Sequence, residues 1–435
     1  MSAHSENARQ WVHIGSGAFA LLLRFLSWPQ AAVLALIALA FNAFALPRLG
    51  GRRLYRPSDA ARGFPLGILL YPLSVLGLIL TFRSRLDLVA AAWGVLAFGD
   101  GFATLVGRRV RSERLPWNRD KSVAGTTAFV VFGGLGAIAL ASWTSGQAVV
   151  AAPLLAAITA AFVESIPVTL DDNLSVPLAA GAVLWLASLT NGEAWSTALP
   201  WIAKTLPLAI AVNLVVAWIG YRAKTVSLSG LAGGVLVGIV IFAAGGANAW
   251  LLLFLTFAIA TAASKLGLRR KTSLGIAEER GGRRGAGNAF ANCGVATIAA
   301  VLAVTTSYPM ESLLALTAAL TAGGSDTVAS EIGKAWGRRT FLVSTLHRVA
   351  PGTPGAMSLE GTLAGLAAAV ALGAFAILLG LIGSSLLFAV VVGATAGALV
   401  ESLLGATLEG PGILNNDMLN FVNTAVAAVV ALAFA

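Results

Sequence analysis

An aspartate between two glycines, Gly99-Asp100-Gly101, lies inside an apolar run, and about twenty residues later comes Lys121-Ser122-Val123-Ala124-Gly125-Thr126. A carboxylate at a membrane position costs roughly 2.5–3.5 kcal/mol even on insertion scales, which makes it a functional-site candidate. Such a group can ligate Mg²⁺ or accept a proton from an attacking hydroxyl, and phosphoryl transfer needs both. The second element opens an apolar helix. Its free amides and positive end, with Lys121, Ser122 and Thr126 and the close approach that Gly125 permits, suit a nucleotide phosphate. Ser122 would serve equally as a simple N-cap. Glu164 and Asp171-Asp172-Asn173 come at the end of a further apolar run. Carboxylates so placed suit Mg²⁺, which is held by one or two of them plus substrate phosphates; a solvated acidic loop is the alternative.

The pattern occurs twice. Ser325-Asp326-Thr327 with Gly333 matches Asp100 with Gly107, and Ser358-Leu359-Glu360-Gly361-Thr362 matches the element at 122–126. Glu401-Ser402 matches Glu164-Ser165, and Asn415-Asn416-Asp417 matches Asp171-Asp172-Asn173. Serine and glutamate stand 42 residues apart in the first copy and 43 in the second. Polar elements in one order, at nearly one spacing, in a chain with few polar residues indicate an internal repeat. Asp326 is then the second catalytic candidate and a metal ligand with Glu401 and Asp417, while Ser358, Gly361 and Thr362 form the second phosphate element. Met357 stands in the place of Lys121, so the charge must come from elsewhere; Arg338, Arg339, His347 and Arg348 are the nearest candidates. Asn420, one turn past Asn416, shares its helix face. Arg284, in a Gly/Arg-rich loop, and Arg9 and His13 near the start are either phosphate ligands or charged anchors.

The elements that must carry these residues are membrane helices. Hydrophobic residues make up 57% of the chain and charged ones 11%, against about a quarter charged in soluble domains; mean hydropathy is +0.84. About fifteen apolar runs are each near the length that crosses roughly 30 Å of hydrocarbon. They fall near 14–28, 31–46, 64–82, 88–107, 124–143, 147–165, 174–190, 199–220, 228–245, 248–265, 288–306, 309–324, 360–380, 384–403 and 418–435. Residues 1–13 are polar and do not read as a cleaved signal peptide. The net charge of +10 sits in arginine-rich loops on one side of this threading, a positive-inside signal rather than a nucleic-acid footprint. It places the N-terminus and both acidic clusters on the cytosolic side. The expected architecture is an all-α polytopic membrane protein with two parallel repeats: residues 1–195, a connecting span 196–225, and residues 226–435. Cys293, the single cysteine, reads as a small packing residue.

The residues from Ala97 to Gly101 and from Leu115-Pro116-Trp117-Asn118 to Thr126 resemble the CTP-dependent phytol and dolichol kinases. Arg9…His13-Ile14-Gly15, Glu164-Ser165-Ile166-Pro167 and Asp171-Asp172-Asn173-Leu174-Ser175-Val176-Pro177 fit the same pattern, although Arg9-Gln10 stands where that family commonly has Arg-Lys. The second half resembles a different family, the DUF92 proteins, which include plant phytyl-phosphate kinase. The resemblance rests on Ser325 to Gly333, Pro351 to Ser358 with Gly361-Thr362, Glu401 to Thr407, and Asn415-Asn416-Asp417. Together these resemblances imply a bifunctional kinase taking a prenyl alcohol to its monophosphate and then its diphosphate, with CTP as donor and Mg²⁺. Two other classes compete. A CTP-dependent lipid cytidylyltransferase would release pyrophosphate rather than CDP. A secondary transporter would also carry repeats and intramembrane carboxylates, but those are expected at the midplane rather than on one face.

Overall fold

The computed structural model describes residues 6–49, 65–276 and 283–435. Most of the basic segment Arg48–Arg62 and the pair Gly281-Gly282 lie outside the described residues. The chain divides into two compact units, Met1–Leu189 and Thr190–Ala435. The connecting span expected at 196–225 belongs to the second unit as part of its first helix.

In the first unit, α1 (Glu6–Ser16) leads through a 3₁₀ turn (Gly17–Arg24) into α2 (Trp28–Ala40), which ends in a π turn (Phe41–Ala45). The apolar run at 14–28 is therefore not one helix. Gly17 packs so closely on Ala97 that an added Cβ would stand 2.6 Å from the alanine methyl, and Ser27 with Gln30 caps a fresh start at Trp28-Pro29. Then come α3 (Leu66–Thr81), α4 (Leu86–Gly94), a π turn (Val95–Asp100) and α5 (Gly101–Arg109). A hairpin of β1 (Arg114–Leu115) and β2 (Asn118–Ser122) precedes α6 (Val123–Ser145), α7 (Ala151–Glu164) and α8 (Asp172–Ser188).

The interior of this unit is built from small residues. Ala90, Ala91 and Ala92 are fully buried on α4. A Cβ on Gly94 would meet the Gly136 backbone of α6 at 2.8 Å, the close backbone approach that small residues allow between membrane helices. Large apolar residues such as Leu135, Leu155, Phe162 and Leu178 face outward, where lipid rather than water is their solvent.

The second unit begins with α9 (Gly192–Arg222) and α10 (Leu228–Lys265). Gly246, at φ 80° and ψ 175°, breaks α10 into two arms, so the runs 228–245 and 248–265 occupy its two halves. A short α11 (Leu268–Ser273) and α12 (Ala286–Thr305) lead to α13 (Pro309–Trp336). A second hairpin pairs β3 (Thr340–Leu342) with β4 (Ala356–Ser358), and α14 (Leu359–Leu378) starts from it. Then come α15 (Leu387–Leu404) with a π turn (Gly405–Glu409), and α16 (Asn416–Ala433). Every residue from Leu314 to Ser325 of α13 is buried, which makes α13 the central helix of its unit. Most of the composite helix α4–α5 is likewise buried. Among the described residues, nine helices are long and apolar enough to cross a membrane, and Leu66–Thr81 and Ala151–Glu164 are shorter apolar helices.

A buried ion pair pins α11 to the central helix. Lys271 and Glu331 have side chains only 1% and 2% exposed and pair directly, and Lys271 Nζ also donates to the Ser264 carbonyl at 2.8 Å. Removing one partner leaves the other charge buried, with Glu331 keeping only the more distant Lys334 at 3.7 Å, a loss of up to about 3–5 kcal/mol. Lys271→Met should lower the thermal unfolding midpoint in detergent markedly, and the double variant with Glu331→Leu should recover most of the loss. A single variant as stable as wild type would show that the pair does not hold α11.

Candidate functional site

In the first unit the site is assembled around the π turn that ends at Asp100. Such a turn inserts an extra residue into a helix and rotates the side chains beyond it; here the redirected residue is a buried carboxylate. Asp100, Glu164 at the end of α7, and Asp172 at the start of α8 bring carboxylate oxygens within 4.8 Å of one another. The β-hairpin supplies the cation. Trp117 Nε1 donates to Ser165 Oγ at 3.1 Å, and Asn118 Nδ2 donates to the Ser165 carbonyl at 3.1 Å. This clamp sets Lys121, on the same strand, against Glu164 directly and 3.5 Å from Asp172.

The next residue closes the hairpin and opens α6. Ser122 accepts the Gly125 amide at 3.2 Å, which is the N-cap alternative. The cap packs on the aspartate helix: a Cβ on Gly107 would lie 3.2 Å from Ser122 Oγ. Thr126 Oγ1 is buried with no hydrogen-bond partner among the described residues. The helix start is thus both capped and left with a donor to spare.

Asp171 stands apart from the carboxylate trio. It caps α8, accepting from the Asn173 amide at 3.0 Å and from Asn173 Nδ2 at 2.8 Å. Asp100 has another neighbour, a residue that the sequence left between two readings. His13 Nε2 lies 3.5 Å from Asp100 Oδ2 and 3.0 Å from the Leu96 carbonyl, and Tyr71 packs edge-on against its ring at 4.7 Å. Burial lowers the imidazole's pKa from its ordinary value, against the pull of Asp100, so the ring is neutral at neutral pH. The His-x-Gly spacing near the N-terminus was visible; its meeting with Asp100 depends on how α1 packs on the π turn.

A divalent cation fits this trio. At about 2.1 Å per Mg–O bond, opposite ligands of one ion lie about 4.2 Å apart, close to the observed spread. Three carboxylates face one lysine, and the imbalance shows in their acidity. Burial first, and Asp100 next, push Asp172 up to about 7, with Lys121 opposing. Lys121 is pulled down by burial, but Asp172 and Glu164 outweigh this and hold it above its usual value.

The second unit has the same local construction on different side chains. Ser358 accepts the Gly361 amide at 3.0 Å, and a Cβ on Gly333 would lie 2.9 Å from Ser358 Oγ. Seven residues before Gly333, Asp326 faces a cavity of about 260 Å³ that Glu401, Thr362, Asn416 and Asn420 also line. Asp326 makes no hydrogen bond or ion pair among the described residues, whereas Glu401 accepts from Asn423 Nδ2 at 2.7 Å. The cations on this cavity are Lys334, from α13, and Arg284.

Two expectations are thereby corrected. Arg338, Arg339, His347 and Arg348 do not line the cavity: the Arg338 amide donates to Glu360 at 3.2 Å, and Arg348 lies over the Phe341 ring. The charge missing at Met357 comes from the aspartate helix itself, because Lys334 is two turns past Asp326. Asp417 also stays out of the wall. Its carboxylate sits beside Gly287, 2.2 Å from where a Cβ would be, in the first turn of α12, where a negative charge complements the helix dipole. Glu331 lies in the stretch Ser325 to Gly333 that the sequence singled out, and Lys334 directly follows it, but no spacing rule assigned either a role.

The fold and its two sites define a multi-pass helical membrane protein whose units each gather acidic side chains beside a serine-capped helix start. The chain belongs to the family described as integral membrane protein DUF92, whose profile matches residues 211–428. It is 35% identical over 248 residues to an uncharacterized membrane protein of Synechocystis sp., covering 55% of this chain and 94% of that protein. It is 36% identical over 233 residues to Protein VTE6, chloroplastic, of Arabidopsis thaliana, covering 52% of this chain and 70% of that protein. It is 33% identical over 200 residues to probable phytol kinase 2, chloroplastic, of Glycine max, covering 42% of this chain and 66% of that protein. No solved structure matches.

The charge imbalance in the first unit leads to a direct measurement. Millimolar Mg²⁺ should raise the unfolding temperature of the purified protein, since a cation bound only by the folded state stabilises it. Asp100→Asn and Glu164→Gln should each remove most of that shift, while Asp171→Asn should retain it. An equal Mg²⁺ effect in wild type and in both of the first two variants would exclude the trio as its site.

Proposed function

We propose that the protein is a membrane kinase for prenyl lipids. The first unit phosphorylates a prenyl alcohol of the phytol or geranylgeraniol type, and the second phosphorylates the resulting monophosphate. CTP is the donor that the resemblance of the first half implies. The reading is supported by relatives named phytol kinase and is carried by one observation: the carboxylates of Asp100, Glu164 and Asp172 converge beside Lys121 and the start of α6.

In the first step the substrate hydroxyl forms a bond to the terminal phosphorus of CTP, the bond from that phosphorus to the bridging oxygen breaks, and CDP leaves. The hydroxyl proton goes to the His13–Asp100 pair. Lys121, the α6 amides and the hydroxyl of Thr126 bind the donor phosphates. Asp100, Glu164 and Asp172 would hold Mg²⁺, which when bound supplies charge neutralisation at those phosphates. Both sites are assigned to the cytosolic face, where nucleotide is available.

The second step has a different requirement. Its nucleophile is a phosphate oxygen that is already anionic, so no strong base is needed, but two negatively charged phosphates must be brought together. The second cavity has two cations for this, Lys334 and Arg284, on a wall that also carries Asp326, Glu331, Glu401 and Glu409 and no histidine. Asp326 and Glu401 are the metal candidates there, with Ser358, Gly361 and Thr362 at the helix start.

The variants separate the steps. Given geranylgeraniol, CTP and Mg²⁺, wild-type protein should form monophosphate, then diphosphate, with CDP and not pyrophosphate released. Asp326→Asn should accumulate monophosphate. Asp100→Asn should abolish use of the alcohol yet still convert added monophosphate. His13→Gln should slow only the alcohol step, by roughly 10²-fold or more, the usual worth of a general base. Wild-type rates in Asp100→Asn, or an equal loss of both steps in His13→Gln, would refute these assignments.

A further inference from the structure

Beside the polar cavity of the second unit lies a second cleft, of about 140 Å³, between α9, α10 and α12. Its wall is largely apolar, with Val216, Leu231, Val237, Phe254 and Phe257 prominent. The amide of Asn213, also in the wall, is already used: Nδ2 donates to the Ala209 carbonyl at 2.8 Å, and Oδ1 accepts from Trp250 at 2.9 Å. The outer face of α9 carries exposed Leu208, Leu214, Val215 and Ile219, as a helix bordering lipid does.

The two cavities share a wall. Arg284, Asn288 and Asn292 line both, with Arg284 Nη1 donating to Asn288 Oδ1 at 3.1 Å. Asn292 is only 9% exposed, and its Oδ1 has no hydrogen-bond partner among the described residues. Such a buried polar atom has hydrogen-bonding capacity left for a bound group or water, and its residue lines both the apolar and the charged chamber. That is the pattern of an amphiphile whose head is anionic and whose tail is hydrocarbon. A wholly polar ligand would leave the cleft empty, and a neutral lipid would not need the cations.

We propose that the cleft holds the hydrocarbon tail of the anionic lipid whose phosphate enters the polar cavity, with Arg284, Asn288 and Asn292 as the threshold between tail and head. The assignment rests on the kinase reading for the identity of the lipid, but its place depends only on the two chambers and their common wall.

Gly234 offers a clean test. It lines the cleft, and a Cβ there would meet no atom within 4 Å, so the backbone leaves room for a side chain to begin there. The full-length protein in detergent would be irradiated with geranylgeranyl monophosphate bearing a diazirine at the tail end, and labelled residues mapped by mass spectrometry. Label is expected within 213–237 and 250–260, falling about tenfold in Gly234→Leu, the scale on which filling an apolar pocket acts. Ala217→Leu, from the facing helix, should act alike if Gly234→Leu folds poorly. In turnover, Gly234→Leu should raise KM for the monophosphate and leave KM for CTP unchanged. Label elsewhere, label undiminished in both variants, or equal labelling by the corresponding diazirine alcohol would overturn the proposal. Absence of turnover in wild type would instead sink the kinase reading, and the labelling pattern would still decide the cleft.

Discussion

In each unit a carboxylate is held on the most buried helix, seven residues before a glycine against which the next helix's serine cap packs. This contact governs the rest. Burying the aspartate costs free energy unless cations and hydrogen-bond donors surround it, and the cap brings a row of helix-start amides close to that helix. Gly107 and Gly333 permit the approach: a Cβ would crowd the serine hydroxyl at 3.2 Å in the first unit and strike it at 2.9 Å in the second. The hairpin that ends at the cap then fixes which residues stand next to the carboxylate. Small residues line the helix interiors for the same reason: only close backbone contact keeps an acidic helix away from lipid.

The two units resolve the electrostatic problem differently, and the difference is chemical. In the first, the lysine comes from the hairpin and the aspartate also meets a neutral imidazole, so the site can take up a proton. In the second, the hairpin offers Met357, the lysine rides on the aspartate helix, and an arginine stands at the cavity wall. A site with a base suits an alcohol, and one with extra cations suits a phosphate. The order of the proposed reactions comes from this contrast without reference to how the units are arranged.

Much of this was legible in the sequence because polar residues are scarce in a membrane chain, so Asp100, Lys121, Ser122, Glu164 and Asp172 stood out and do converge. What failed to show was direction. Asp171 and Asp172 are adjacent and chemically alike, yet the helix start at Asp172 turns one into a cap and the other into the cluster. Asp417 looked equivalent to them and instead faces the first turn of α12. Nothing in the sequence set Lys271 apart, and its burial against Glu331 shows only once α11 is seen folded onto α13. The first apolar run looked like one span, but its helix tightens from α to 3₁₀ at Gly17 and stops after Arg24, before a new helix begins at Trp28.

The shared wall of the second unit's two chambers extends the same logic to the substrate. An enzyme that phosphorylates a membrane lipid must hold a head that needs cations and a tail that excludes them, within a few ångströms of each other. Arg284 stands in the extended segment just ahead of α12, and Asn288 and Asn292 follow on successive turns of that helix, so its start can present charge, then amides, with the small residues Ala289 and Cys293 beside them, to the cleft. Helical spacing of four residues places these groups in a line. A graded wall of this kind orients an amphiphile by its two ends, and it asks nothing of the tail beyond being apolar and fitting the cleft.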